Sequence, residues 1–140
     1  MIVLDTNVVS ELMKPLPSPI VLRWIASRDG AGLYTTSVTQ AEILHGVLSL
    51  PAGRRRRAIE AAAEAMFKED FAGRILAFDS DAGRAYAELI NEPRRRGRAI
   101  SQFDAQIVAI TRAAGATLAT HNVKDFGHRG IGIVDPWVET

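Results

Sequence analysis

The sequence predicts a three-layer α/β/α domain on a mainly parallel central sheet. Two observations carry that expectation. Apolar runs of strand length recur along the chain, and between them lie longer stretches whose apolar residues repeat at helical spacing. Strands separated by helices pair in parallel through crossovers, which leaves helices on both faces of the sheet. The 140 residues fit one domain, residues 1–140. A domain of this size buries roughly two-thirds of the surface its unfolded chain exposes.

Ile2-Val3-Leu4 reads as the first buried strand, with a short helix from about Asn7 to Met13 after it. Ser18-Pro19 has the form of an N-cap followed by proline at the first helical position. The helix it opens carries Ile20, Val21, Trp24 and Ile25 on one face, and Gly30-Ala31-Gly32 breaks it. Leu33-Tyr34-Thr35-Thr36 is the second strand. A helix then starts near Thr39, burying Ala41, Leu44, Val47 and Leu48, and Pro51-Ala52-Gly53 ends it. The next helix runs from about Arg55 to Glu69 on an inner face of Ile59, Ala62, Ala63 and Met66. Residues 73–78 contain the third strand. Asp79, Ser80 and Asp81 offer caps for a helix carrying Ala85, Tyr86, Leu89 and Ile90. After a basic loop, Ser101 caps a helix through Ala114 that Gly115 closes. Thr117-Leu118-Ala119-Thr120 is the fourth strand and Ile131-Gly132-Ile133-Val134 a short fifth.

Composition excludes several classes. There is no cysteine, which removes disulfides and thiolate metal sites and fits a reducing cytoplasm. The opening residues lack the basic start and long apolar run of a secretory signal, and no stretch approaches the ~20 residues of a membrane span. Net charge is +1, so any charge-based partner must be read from distribution. Arg54 to Arg57 form one run, and Arg94-Arg95-Arg96-Gly97-Arg98 a second. Each reads either as a solvated face or as a site for bidentate contact with phosphate or carboxylate. His45, His121 and His128 share no ligand spacing, and Trp24 and Trp137 read as packing residues.

In an open parallel sheet the ligand crevice lies beyond the carboxyl ends of the strands. Asp5 directly follows the first strand. Glu42 falls in the first turn of the helix after the second, and Asp104 in the first turn of the helix before the fourth. Asn122 follows the fourth strand, with Asp125 three residues on. Three carboxylates facing one crevice repel each other unless a cation lies between them. Oxygen ligands without cysteine favour Mg²⁺ or Mn²⁺ over zinc, and a phosphodiester is a sensible substrate for such a site. The acids also have local readings. Thr39-x-x-Glu42 and Ser101-x-x-Asp104 have the spacing of capping boxes, Asp5 could cap the helix at Asn7, and Asp125 could cap a turn. No Arg or Lys lies beside Asp5, Glu42 or Asp104 in sequence, so an incoming basic side chain would find them open. A non-catalytic groove that docks a basic peptide remains an alternative. A haloacid-dehalogenase-type phosphatase needs a second Asp where this chain has Asn7.

The segments Met1 to Glu11 (MIVLDTNVVSE), Thr36 to Gly46 (TSVTQAEILHG), Phe71 to Asp79, Ile100 to Ile107 (ISQFDAQI) and Thr120 to Phe126 (THNVKDF) resemble, in order, the motifs of PIN-domain toxins of the VapC/FitB type. Pro136-Trp137 is similar to the FitB-like tail. The resemblance covers nearly the whole chain. It implies Mg²⁺-dependent endonucleolytic cleavage of RNA, a homodimer, and a VapB/FitA-type antitoxin whose tail enters the acidic groove. Carried over residue by residue, Asp5, Glu42 and Asp104 are the metal-binding acids, with Thr6 and Thr120 supporting them by hydrogen bonds. The chain departs from many members in having an amide at Asn122, so the fourth position lies between Asn122 and Asp125.

Overall fold

The structure, a computed structural model, describes residues 1–92, 100–126 and 130–138. Five strands, β1 (Ile2–Leu4), β2 (Leu33–Thr36), β3 (Ile75–Leu76), β4 (Thr117–Ala119) and β5 (Gly132–Val134), form one sheet in the order β3-β2-β1-β4-β5. Every pairing among them is parallel. The helices are α1 (Thr6–Leu12), α2 (Pro19–Ala26), α3 (Ser37–Leu48), α4 (Arg54–Ala65), α5 (Ser80–Ile90), α6 (Gln102–Ala113) and α7 (Val123–Phe126). Among the described residues no helix is long and apolar enough to cross a membrane.

Alternation along the strands divides the core into the expected three layers. In β1, Val3 enters one apolar cluster and Leu4 the other; in β4, Leu118 and Ala119 divide the same way. The first cluster is covered by α5 and α6 through Leu89, Ile107, Val108 and Ile110. The second is covered by α1, α2 and α4 through Val8, Val9, Trp24 and Ala63. Each fully buried Leu, Val or Ile of this set contributes about 1.5–3 kcal/mol relative to exposure.

Several boundaries differ from those expected. The helix after β2 starts at Ser37, because Thr36 is its N-cap: the Thr36 hydroxyl accepts the Thr39 amide at 3.0 Å. Thr39 and Glu42 therefore form no capping box, and Glu42 sits in the second turn. That shift rotates the buried stripe to Val38, Thr39, Ile43 and Val47 and leaves Ala41 and Leu48 exposed. The expected helix over 55–69 is α4 followed by a π-helical turn, Met66–Asp70. The wider turn brings Phe67 inward, whereas Ala62 faces solvent. On α2, Val21 and Trp24 are buried and Ile20 is on the surface. Other expectations match the structure. Pro19 opens α2, Asp79 caps α5 through the Ala82 amide at 3.0 Å, and Gly115 closes α6 at φ 64°.

Arg54 to Arg57 make the first turn of α4, mostly exposed. The run 94–98, the turn after Phe126 at Gly127, and His128 lie outside the described residues.

Candidate active site

The strand order places a topological switch point beside β1. The chain leaves β1 to build β2 and β3 on one side, then returns to build β4 and β5 on the other. The carboxyl ends of β1 and β4 therefore open into a crevice. A groove of about 660 Å³ lies there, lined among others by Asp5, Glu42, Asp104 and Asn122. Segments about 37 to 62 residues apart in sequence thus share one rim (Asp5, Glu42, Asp104).

Asp5 is buried at 3% exposure directly after β1. It stands at the N-cap position of α1, yet its side chain makes no capping hydrogen bond, so capping does not account for it. Its Oδ2 accepts the Thr120 hydroxyl at 2.8 Å, while Oδ1 is buried without a hydrogen-bond partner among the described residues. Burial pushes its carboxyl up to about 6. That value already includes the Thr120 hydroxyl and Thr6 amide, which lower it, and the Asp104 and Glu42 charges, which add to the rise. Asp104 is also raised, chiefly by burial, with the Ser101 hydroxyl opposing and Asp125 adding repulsion. Ser101 caps α6 through the Asp104 amide at 3.1 Å, so the cap uses the backbone of residue 104.

The two threonines hold the acids in different ways. Thr120 gives its single hydroxyl proton to Asp5 and accepts the Asn7 amide at 3.3 Å and the Asn122 backbone amide at 3.1 Å. Thr6 donates to Glu42 Oε1 at 2.9 Å. Its proton being committed there, the buried Thr39 hydroxyl 3.0 Å away is the donor to Thr6. Asn122 lines the groove, whereas Asp125 lies on exposed α7 and reaches the site through its charge on Asp104.

The donor set consists of carboxylate, amide and hydroxyl oxygens, and a buried unpartnered carboxylate oxygen points to a hard cation. Mg²⁺ fits this set, because it usually binds through one or two carboxylates and retains several waters. Among the described residues no group of three acidic or histidine side chains stands close enough to enclose an ion; Asp5, Glu42 and Asp104 share the groove wall without forming a closed cage.

Sequence reasoning did not single out part of the rim. Glu11 is buried; its Oε2 accepts the Ser18 amide at 2.8 Å and its Oε1 pairs with Lys14 at 2.9 Å. Lys14 lines the same groove, so the acids are not without a cation nearby. His121 borders it too, with Nδ1 3.2 Å from Asp135 Oδ2 and its ring 4.4 Å from that of Trp137. Trp24 packs in the core as expected, but Trp137 also faces the groove. The missed signal was a polar stripe at helical spacing on an otherwise apolar helix: Asn7, Ser10, Glu11, Lys14.

A parallel sheet in this order, with separate acids meeting at its switch point, defines a PIN fold. The chain belongs to the PIN-domain family, which matches residues 2–130. Within it, the chain is 40% identical over 137 residues to the VapC ribonuclease Y4jK of Sinorhizobium fredii, covering 98% of each chain. It is 32% identical to the toxin FitB of Neisseria gonorrhoeae, over 98% of this chain and 99% of that one. The crystal structure of FitAcB from the same organism superposes with a TM-score of 0.91 at 32% identity, covering 99% of this chain and 100% of that one.

Proposed function

We propose that this chain is a Mg²⁺-dependent endoribonuclease, with Mn²⁺ a possible substitute, and the toxin of a type II toxin–antitoxin pair. It acts in the cytoplasm as a homodimer and is silenced by a VapB/FitA-type antitoxin. The observation that carries the reading is the convergence of Asp5, Glu42 and Asp104 on one groove, with Asp5 Oδ1 buried and unpartnered. The likeness to a named VapC ribonuclease and to the toxin FitB supports the substrate class.

Asp5, Glu42 and Asp104 would hold the ion, and Asn122 offers a carbonyl oxygen at the fourth position. When bound, Mg²⁺ activates water and offsets the charge that develops on the phosphate. Thr120 keeps Asp5 Oδ2 occupied, so Oδ1 is the oxygen left for the ion. Thr6, backed by Thr39, turns Glu42 toward the groove. A rim carboxylate takes the proton of the attacking water. In-line attack forms the new P–O bond as the bond to the 3′-oxygen breaks; that oxygen takes a proton from water and leaves as a 3′-hydroxyl, the 5′-phosphate stays on the other fragment, and the ribose 2′-hydroxyl is not used.

The test is cleavage of labelled single-stranded RNA by the purified chain. Cutting is expected in Mg²⁺ or Mn²⁺ and not in EDTA. Asp5→Asn and Asp104→Asn should each lose more than the roughly 10–100-fold that follows removal of an outer partner of a metal site. Wild-type rates in Asp104→Asn would remove that residue from the metal-binding set. Metal-independent cutting would refute the reading.

A further inference from the structure

We propose that Lys14, held on the groove wall by Glu11, binds a backbone phosphate of the substrate strand next to the one that is cut. The inference rests on the nuclease reading of the groove and adds to it a residue that positions substrate. A polyanion entering the groove meets the charge of three carboxylates, which one dication offsets only in part, so a further cation beside the acids favours binding. Among the described residues Lys14 is the one Lys or Arg that lines this groove.

Its setting is more definite than that of an ordinary surface lysine. It lies two residues past the end of α1, and its backbone amide donates to Glu11 O at 3.2 Å, which ties it to the helix that carries Thr6 and Asn7. Its Nζ lies 2.9 Å from Glu11 Oε1 while its side chain stays 60% exposed. Glu11 is itself fixed, with its other oxygen on the Ser18 amide at 2.8 Å. An ammonium has three donors, and Glu11 takes one. The rest are open to the groove, and a compact point charge suits a phosphate oxygen. Stability alone gives little reason for the pair, since ion pairs with an exposed partner add little.

The experiment measures kcat and KM on single-stranded RNA in Mg²⁺ over a range of NaCl, with thermal melts alongside. Lys14→Met should raise KM about tenfold, a typical loss for one charged hydrogen bond, with the smaller part of the loss in kcat. The slope of log KM against log salt should fall by roughly 0.7, the value for one phosphate on a single strand. Lys14→Arg should restore the slope. Glu11→Gln keeps the acceptor for Ser18 and frees the lysine, so KM should rise while the slope is kept. If Lys14→Met melts well below wild type, the double variant Glu11→Gln/Lys14→Gln strands no carboxylate and carries the same test. Unchanged KM and slope in a folded variant would overturn the proposal and leave the nuclease reading intact, as would a loss confined to kcat. A wild-type chain that neither binds nor cuts RNA would overturn both.

Discussion

Asp5 carries a local conflict of burial and charge. Its carboxylate is buried, one oxygen has no hydrogen-bond partner, and two acids face it. Its folded value of about 6 lies above the ordinary 3.8, so the metal-free folded state binds a proton that the unfolded state releases. That contribution to stability is present at low pH and is lost as pH rises through about 6. The difference amounts to about 3 kcal/mol at neutral pH. In EDTA, Asp5→Asn should therefore melt above wild type near pH ~8, and the gap should close toward pH ~4. Added Mg²⁺ should stabilise wild type in proportion to its occupancy and leave the variant unmoved. A gap that does not vary with pH would show that burial is not what raises Asp5. Glu42 makes a sharper comparison now that Thr36 is known to cap α3. Glu42→Gln keeps an oxygen for Thr6 and should melt within about 1 kcal/mol of wild type, as surface changes usually do, while cleavage falls. Retained cleavage would remove Glu42 from the metal-binding set.

The register of α3 decides where Glu42 points. Thr36 ends β2 and caps the helix in the same residue, fully buried. Thr36→Ala should cost about 1 kcal/mol, up to ~2, from the lost cap, measured as a lower denaturation midpoint with an unchanged slope. Thr39→Ala should cost stability less through capping and should act on cleavage instead, because Thr39 backs Thr6 on Glu42. Equal capping losses at both positions would contradict the structure. The sequence misplaced this helix by two residues because two threonines within four positions both have good N-cap chemistry. Local preference cannot choose between them, whereas the sheet can: β2 must reach Thr36 to pair with Leu76 of β3. The same limit applies to α4, where Ala62 and Ala63 suit either face and packing of Phe67 selects Ala63.

The groove belongs to the whole molecule, since its acids come from three elements that meet only because the chain reverses beside β1. On the proposed function, an inhibitory antitoxin tail should place an Arg or Lys among Asp5, Glu42 and Asp104 and compete with Mg²⁺. Competition of this kind is reciprocal. Raising Mg²⁺ should weaken an Arg-bearing tail peptide, and the peptide should weaken Mg²⁺ by the same factor, both readable by calorimetric titration. Peptide affinity independent of Mg²⁺ would place inhibition elsewhere. Lys14 repels the incoming guanidinium, so Lys14→Met should tighten the peptide modestly while weakening RNA.

Strand runs, helical spacing and the positions of Asp5, Asp104 and Asn122 at strand and helix ends are local properties, which is why layers, parallel pairing and most of the acidic rim were legible in the residues alone. The roles of the threonines were legible only through resemblance to a family. Local sequence left each acid with two readings, as cap or as ligand. Folding weakened the cap reading for two of them: Asp5 makes no capping hydrogen bond and Thr36 displaces Thr39, whereas Ser101 accepts the Asp104 amide and also meets its carboxyl. Glu11 and Lys14 joined the rim without notice for the same reason, and so did His121 and Trp137, which had read as a residue without ligand spacing and a packing residue. Burial and charge proximity depend on which elements the sheet brings together, and no residue carries that information in its own neighbourhood.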